Sequence, residues 1–209
     1  MATRKVLKRF WTPSRLLLTL SGLILVAAFA LSSCNSNDAT PTSTTSSSSG
    51  NGPSTAGMPL NSLPANVLEA QLRDASGSTI RLSDYSGKVL LVNLWATWCG
   101  PCRLETPELV KLHKEFQSRG VEMVGLSTEN PDASAQSVRD FVRAYNVDYH
   151  VGWATADVAL TLMQGRESIP QSFIITREGR IMKRFIGYNP VSTPPQLRQA
   201  LEDALAAKG

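Results

Sequence analysis

Cys99 and Cys102, in the stretch Trp98-Cys99-Gly100-Pro101-Cys102, are the side chains of this 209-residue sequence best placed to do chemistry. Thiols at that spacing can close to a disulfide and reopen, passing two electrons to or from a partner. The attacking species is a thiolate, and a cysteine at a helix start meets unpaired backbone N–H groups and the positive end of the helix dipole. Lowering a thiol pKa from about 8.5 to about 7 amounts to roughly 2 kcal/mol of preference for the charged form. Cys99 is therefore expected to be the attacking sulfur, and Cys102, one turn further in and more buried, the resolving one. Gly100 and Pro101 keep the turn tight. Two plainer uses of the pair stay open here, an inert disulfide and half of a zinc site. Zinc takes about four ligands, and the chain adds only Cys34, far upstream, and the isolated His113 and His150. A c-type haem motif is excluded, because Arg103 stands where histidine is required.

The elements that must hold the pair are legible around it. Val89-Leu90-Leu91-Val92-Asn93-Leu94-Trp95 is an almost unbroken β-prone apolar run, the pattern of a strand buried on both faces. Glu108, Leu109, Leu112 and Phe116 recur at helical spacing and predict a helix from about Cys99 to Ser118, kinked at Pro107. Cys99 then sits at a strand-to-helix turn. Upstream, Leu68–Arg73 and Thr79–Leu82 predict a leading hairpin. Downstream, Val121–Ser127 predicts a strand, Gln136–Tyr145 and Asp157–Gln164 predict helices, Ser172–Thr176 and Arg180–Ile186 a hairpin, and Gln196–Ala207 a closing helix. That order gives an α/β fold, a mixed β-sheet flanked by helices on both faces.

Charge and composition divide the chain. The formal net charge is +4, yet residues 1–33 hold Arg4, Lys5, Lys8, Arg9 and Arg15 and no acid, which leaves 16 basic against 17 acidic residues beyond them. The basicity belongs to targeting and gives no argument for nucleic-acid binding. The apolar run Leu16 to Leu31 would span about 24 Å as a helix, short of a hydrocarbon core of about 30 Å. It reads as a cleaved export signal. Residues 34–62, rich in Ser, Thr, Gly, Asn and Pro, are expected to be a flexible linker with an r.m.s. reach of about 30 Å. Residues 63–209 are the expected folded domain, large enough for one core.

The run Val92-Asn93-Leu94-Trp95-Ala96-Thr97-Trp98-Cys99-Gly100-Pro101-Cys102 resembles the active-site segment of thioredoxin-fold proteins. From about Leu68 to Lys208 the chain resembles the membrane-anchored TlpA/ResA-like thiol–disulfide oxidoreductases, through Leu82-Ser83-Asp84-Tyr85-Ser86-Gly87-Lys88, Glu105 and Ile169-Pro170. The resemblance implies a thioredoxin-like fold with an N-terminal β-hairpin and an inserted segment between about Val147 and Gln164. It implies catalytic roles for Cys99, Cys102 and Glu105, the last as proton acceptor for the resolving thiol if burial raises its pKa. The plain alternative for Glu105 is an acid serving the helix dipole. Asn93 occupies the position of the buried aspartate of thioredoxins, so that carboxylate is missing here. Pro170 is expected to be cis and packed against the dithiol, presenting the Ile169 backbone to an extended substrate and keeping metal ions off the sulfurs. Trp98 is expected to cover the cysteine pair and touch the partner, and Trp95 to lie in the core. His113 and His150 are expected to be solvated or locally hydrogen-bonded.

Leu31-Ser32-Ser33-Cys34 resembles a bacterial lipobox, which makes Cys34 the expected lipidation site and anchors the domain to a membrane outside the cytoplasm. The function implied is extracytoplasmic, periplasmic or cell-surface, reduction of disulfides in exported proteins such as apocytochrome c, by a monomer without cofactor or metal. Export places the protein in oxidising surroundings, so a membrane thiol donor of DsbD/CcdA type is the expected electron source. Alternatives are an oxidant or isomerase of exported proteins and a non-catalytic metal-binding or redox-sensing module. A peroxidase would need Thr where Ala96 stands.

Overall fold

The computed structural model describes residues 62–207. The expected export signal, the lipidation site Cys34 and the expected linker up to residue 61 lie outside the described residues, while Ser62, the linker's expected last residue, forms a β-bridge with Arg180. The domain's elements are, in order, α1 (Ala65–Leu68), β1 (Leu72–Arg73), β2 (Thr79–Ile80), β3 (Val89–Trp95), α2 (Gly100–Phe116), β4 (Val121–Ser127), α3 (Pro131–Ala144), β5 (His150–Trp153), α4 (Ala156–Met163), β6 (Gln171–Ile175), β7 (Ile181–Ile186) and α5 (Thr193–Ala206). Five strands form one mixed sheet in the order β5-β4-β3-β6-β7, while β1 and β2 pair separately. β3 is parallel to β4 and antiparallel to β6.

Alternation along β3 divides the core, because successive side chains point to opposite faces. Leu90, Val92 and Leu94 pack with Val67 of α1 and Val158 and Leu162 of α4. Val89 and Leu91 pack with Leu109, Leu112 and Phe116 of α2 and Leu197 and Leu201 of α5. Asn93 shares the parity of Val89 and Leu91, so the one polar residue of β3 faces the α2 side. A third cluster gathers Trp95, Cys99 and Cys102 with Val138 and Phe141 of α3 and Val151 and Trp153 of β5. Trp95 is thus core, as expected.

Several boundaries differ from expectation. The leading hairpin has only two residues per strand: Leu68 ends α1, and Leu82 opens a 3-10 turn over Leu82–Tyr85. α3 begins at Pro131, five residues before the expected start, because Asn130 accepts the amides of Asp132 and Ala133 and proline suits the first helical position. The segment from Val147 to Gln164 contains β5, which runs parallel to β4. Short runs like His150-Val151-Gly152-Trp153 give no clear period. Pro107 lies inside α2 without ending it.

Candidate active site

Strand β3 ends at Trp95, the chain turns through Ala96-Thr97-Trp98, and Cys99 occupies the N-cap of α2, its sulfur accepting the Cys102 N–H at 3.2 Å. The two cysteines form a disulfide with S–S 2.04 Å and Cα atoms 5.3 Å apart. Both are buried, Cys99 at 3% exposure and Cys102 at 1%, so the expected difference in burial is small in this oxidised form. Pro101 at the start of the helix needs no hydrogen-bond donor there. Trp98, directly before Cys99, is 69% exposed and leaves most of its apolar surface open to solvent.

The Ile169–Pro170 peptide is cis, and the Ile169 carbonyl oxygen lies 3.7 Å from Cys99 Sγ. This loop is held from behind. Gln171, fully buried, donates to the Arg166 and Ser168 carbonyls at 2.5 and 2.7 Å, and Arg184 Nε donates to its amide oxygen at 3.1 Å.

Glu105, three residues past Cys102, lies on the same side of α2 and is 1% exposed. Ser172 Oγ donates to one carboxylate oxygen at 3.0 Å and Asn93 Nδ2 to the other at 2.9 Å. Asn93 Nδ2 also lies 2.9 Å from Ser172 Oγ, closing a triangle. Burial lifts the Glu105 carboxyl to about 7, against the pull of the Ser172 and Asn93 hydrogen bonds toward the charged form. A group of that acidity, one turn from Cys102 along α2, can take up and release a proton near neutral pH.

Ser172 is a partner that sequence reasoning missed. Its signal was slight: Gln171-Ser172 opens β6 ahead of the apolar Phe173-Ile174-Ile175, and only the register that pairs Ser172 with Asn93 across β6 and β3 singles it out. His113 is buried and meets Asp148 Oδ1 at 3.0 Å, while His150 is exposed; neither joins the cysteines. Among the described residues, no cluster of His, Cys, Asp and Glu could hold a metal ion. No described helix is long and apolar enough to cross a membrane.

The chain is 35% identical over 116 residues to the thiol-disulfide oxidoreductase ResA of Bacillus subtilis, an alignment covering 56% of this chain and 63% of the relative. The ResA of Geobacillus thermodenitrificans is 30% identical over 131 residues, covering 63% of this chain and 71% of the relative. The chain thus spans less than two thirds of the length of the first of these relatives. Among solved structures, a thiol:disulfide interchange protein of the thioredoxin family from Chlorobium tepidum superposes with TM-score 0.55 at 26% identity, covering 68% of this chain and 99% of that one. A secreted Mycobacterium tuberculosis disulfide oxidoreductase homologous to E. coli DsbE shares the fold with TM-score 0.57 at 17% identity, covering 67% and 99%. The fold is therefore thioredoxin-like. The family model described as Redoxin matches residues 38–201, most of the sequence, and the chain belongs to the Redoxin family.

Proposed function

We propose that this protein is an extracytoplasmic thiol–disulfide oxidoreductase that reduces disulfides of exported proteins such as apocytochrome c. The observation that carries the proposal is the Cys99–Cys102 pair at the start of α2, one helical turn from a buried carboxyl that titrates near neutrality. In the reduced protein, the Cys99 thiolate attacks one sulfur of a client disulfide. A mixed disulfide forms, and the client's other sulfur leaves as a thiolate and is protonated. Cys102 then gives its proton to the Glu105 carboxylate and attacks Cys99 Sγ. The client's second thiolate departs, and the products are a client dithiol and the Cys99–Cys102 disulfide.

The exposed Trp98 and the Ile169 backbone beside Cys99 support a substrate seat at the Trp98, Ile169 and Pro170 edge. Turnover requires two electrons from outside, and a membrane thiol donor of DsbD/CcdA type fits an anchor at Cys34. Monomeric action without cofactor completes the proposal.

The test is the reduction potential of Cys99–Cys102 in the full chain, titrated against defined thiol buffers. A value near or below about −270 mV is expected; one near −120 mV would mean an oxidant of exported proteins and overturn the direction.

A further inference from the structure

Thr97, two residues before Cys99, has every polar backbone and side-chain group engaged. Its amide donates to Glu129 Oε2 at 2.7 Å and its hydroxyl to Glu129 Oε1 at 2.7 Å. Its carbonyl accepts Arg103 Nε at 2.9 Å, from the first turns of α2. Glu129 is itself fixed: Ser127 Oγ donates to Oε2 at 3.0 Å, and the Glu129 amide donates back to Ser127 Oγ at 3.2 Å. The placement follows from the sheet. Trp95 and Ser127 are the last register partners of β3 and β4, so Thr97 and Glu129, two residues further along parallel strands, come side by side. Thr128 N adds a backbone bond to the Trp95 carbonyl at 2.9 Å.

We propose that Glu129 is a positioning residue that clamps Thr97 by its amide and hydroxyl, and so holds Cys99 at the N-cap of α2, where its sulfur receives the Cys102 N–H. A loop leaving the end of a strand has no ladder of its own to define it. Charge-assisted bonds to one carboxylate supply that definition on one side, and Arg103 on the other. A nucleophile displaced by about 1 Å can lose about a hundredfold in rate. The clamp lets the loop meet each incoming disulfide without first being ordered. This role rests on the redox reading of Cys99.

Glu129→Gln and Glu129→Ala separate geometry from charge. In E129Q the amide oxygen can accept from Thr97 N and Ser127 Oγ, and its NH2 can donate to Thr97 Oγ1, because a hydroxyl also accepts. The clamp survives without its charge. E129A removes both legs, and Thr97→Val removes the hydroxyl leg while keeping shape and amide. Arg103 and Glu105, the other ionisable side chains tied to this helix start, are the same in all four proteins.

The measurement is the second-order rate at pH 7 of the reduced full-length protein with a small aromatic disulfide, together with hydrogen exchange of the Thr97 amide. E129A is expected to react about tenfold more slowly and to lose protection of the Thr97 amide. T97V should fall between E129A and wild type, and E129Q should stay within about threefold of wild type with protection kept. Equal rates in all four would overturn the clamp. So would E129A and E129Q speeding up together, since that would make Glu129 a repelling charge on the thiolate. If E129A does not fold, T97V against E129Q decides between the same outcomes. Failure of the redox reading would show differently, as a wild-type pair that takes no electrons from any dithiol, and would overturn the role as well.

Discussion

At the residue scale, Glu105 carries opposing demands. Burial disfavours its charge, while Ser172 and Asn93 hydrogen bonds favour it, and the balance leaves the carboxyl at about 7 rather than 4.5. Such a raised carboxyl contributes stability that is full below the unfolded value and is lost as pH rises through the folded one. Across pH 4.5 to 7 the oxidised protein should lose on the order of 3 kcal/mol from this group. Glu105→Gln removes the titration, so urea unfolding at pH 5 and pH 8 should show a smaller difference in the variant than in wild type. Parallel behaviour would mean that Glu105 is ionised throughout. Ser172→Ala deletes one of the two donors that favour the charged form. The carboxyl should then titrate above its wild-type midpoint of about 7, a shift readable from the 13C resonance of its carboxyl carbon. An unmoved midpoint would leave Asn93 as the sole effective donor.

At the element scale, the parts that local pattern defines were legible and the parts that pairing defines were not. β3 is a seven-residue apolar run broken only by Asn93, β4 is a seven-residue strand buried at every position but Glu122, and both fall where the sequence places them. β5 owes its existence to β4 beside it and to the leading hairpin across its edge, where Asp74 bridges Gly152. The same holds within the site. The cysteine pair and Glu105 follow from one helix, whereas Glu105 and Ser172 are 67 residues apart and Thr97 and Glu129 are 32 apart, joined only by strand register. Gly152 shows how tight the hairpin–edge contact is. A Cβ there would stand 2.5 Å from the Arg73 carbonyl oxygen, a backbone atom that cannot swing aside. Gly152→Ala should therefore cost about 1–3 kcal/mol in urea unfolding and speed amide exchange at Asp74 and Ala75. A variant as stable as wild type would show that the hairpin merely rests on the edge.

At the scale of the whole molecule, the direction of electron flow is a statement about which redox state the fold prefers. Reduction and unfolding form a cycle, so a fold that favours the disulfide makes the couple more reducing by the same free energy, with 30 mV equivalent to about 1.4 kcal/mol. The amide of Cys102 and the start of α2 favour a thiolate on Cys99 and push toward oxidant behaviour. Two features push the other way. The sulfurs lie in an apolar cluster with Trp95, Phe141 and Trp153, where a thiolate is poorly solvated. Glu105, ionised above about 7, is a second negative charge on the same helix and resists another beside it. At pH 8 both act together. The oxidised full-length protein should then unfold at a higher urea concentration than the reduced one, and the gap should narrow in Glu105→Gln, where one of the two is removed. The reverse order would put this fold with oxidants such as DsbA, whose reduced form is the stabilised one, and Cys99 would then be passing disulfides to exported proteins instead of removing them.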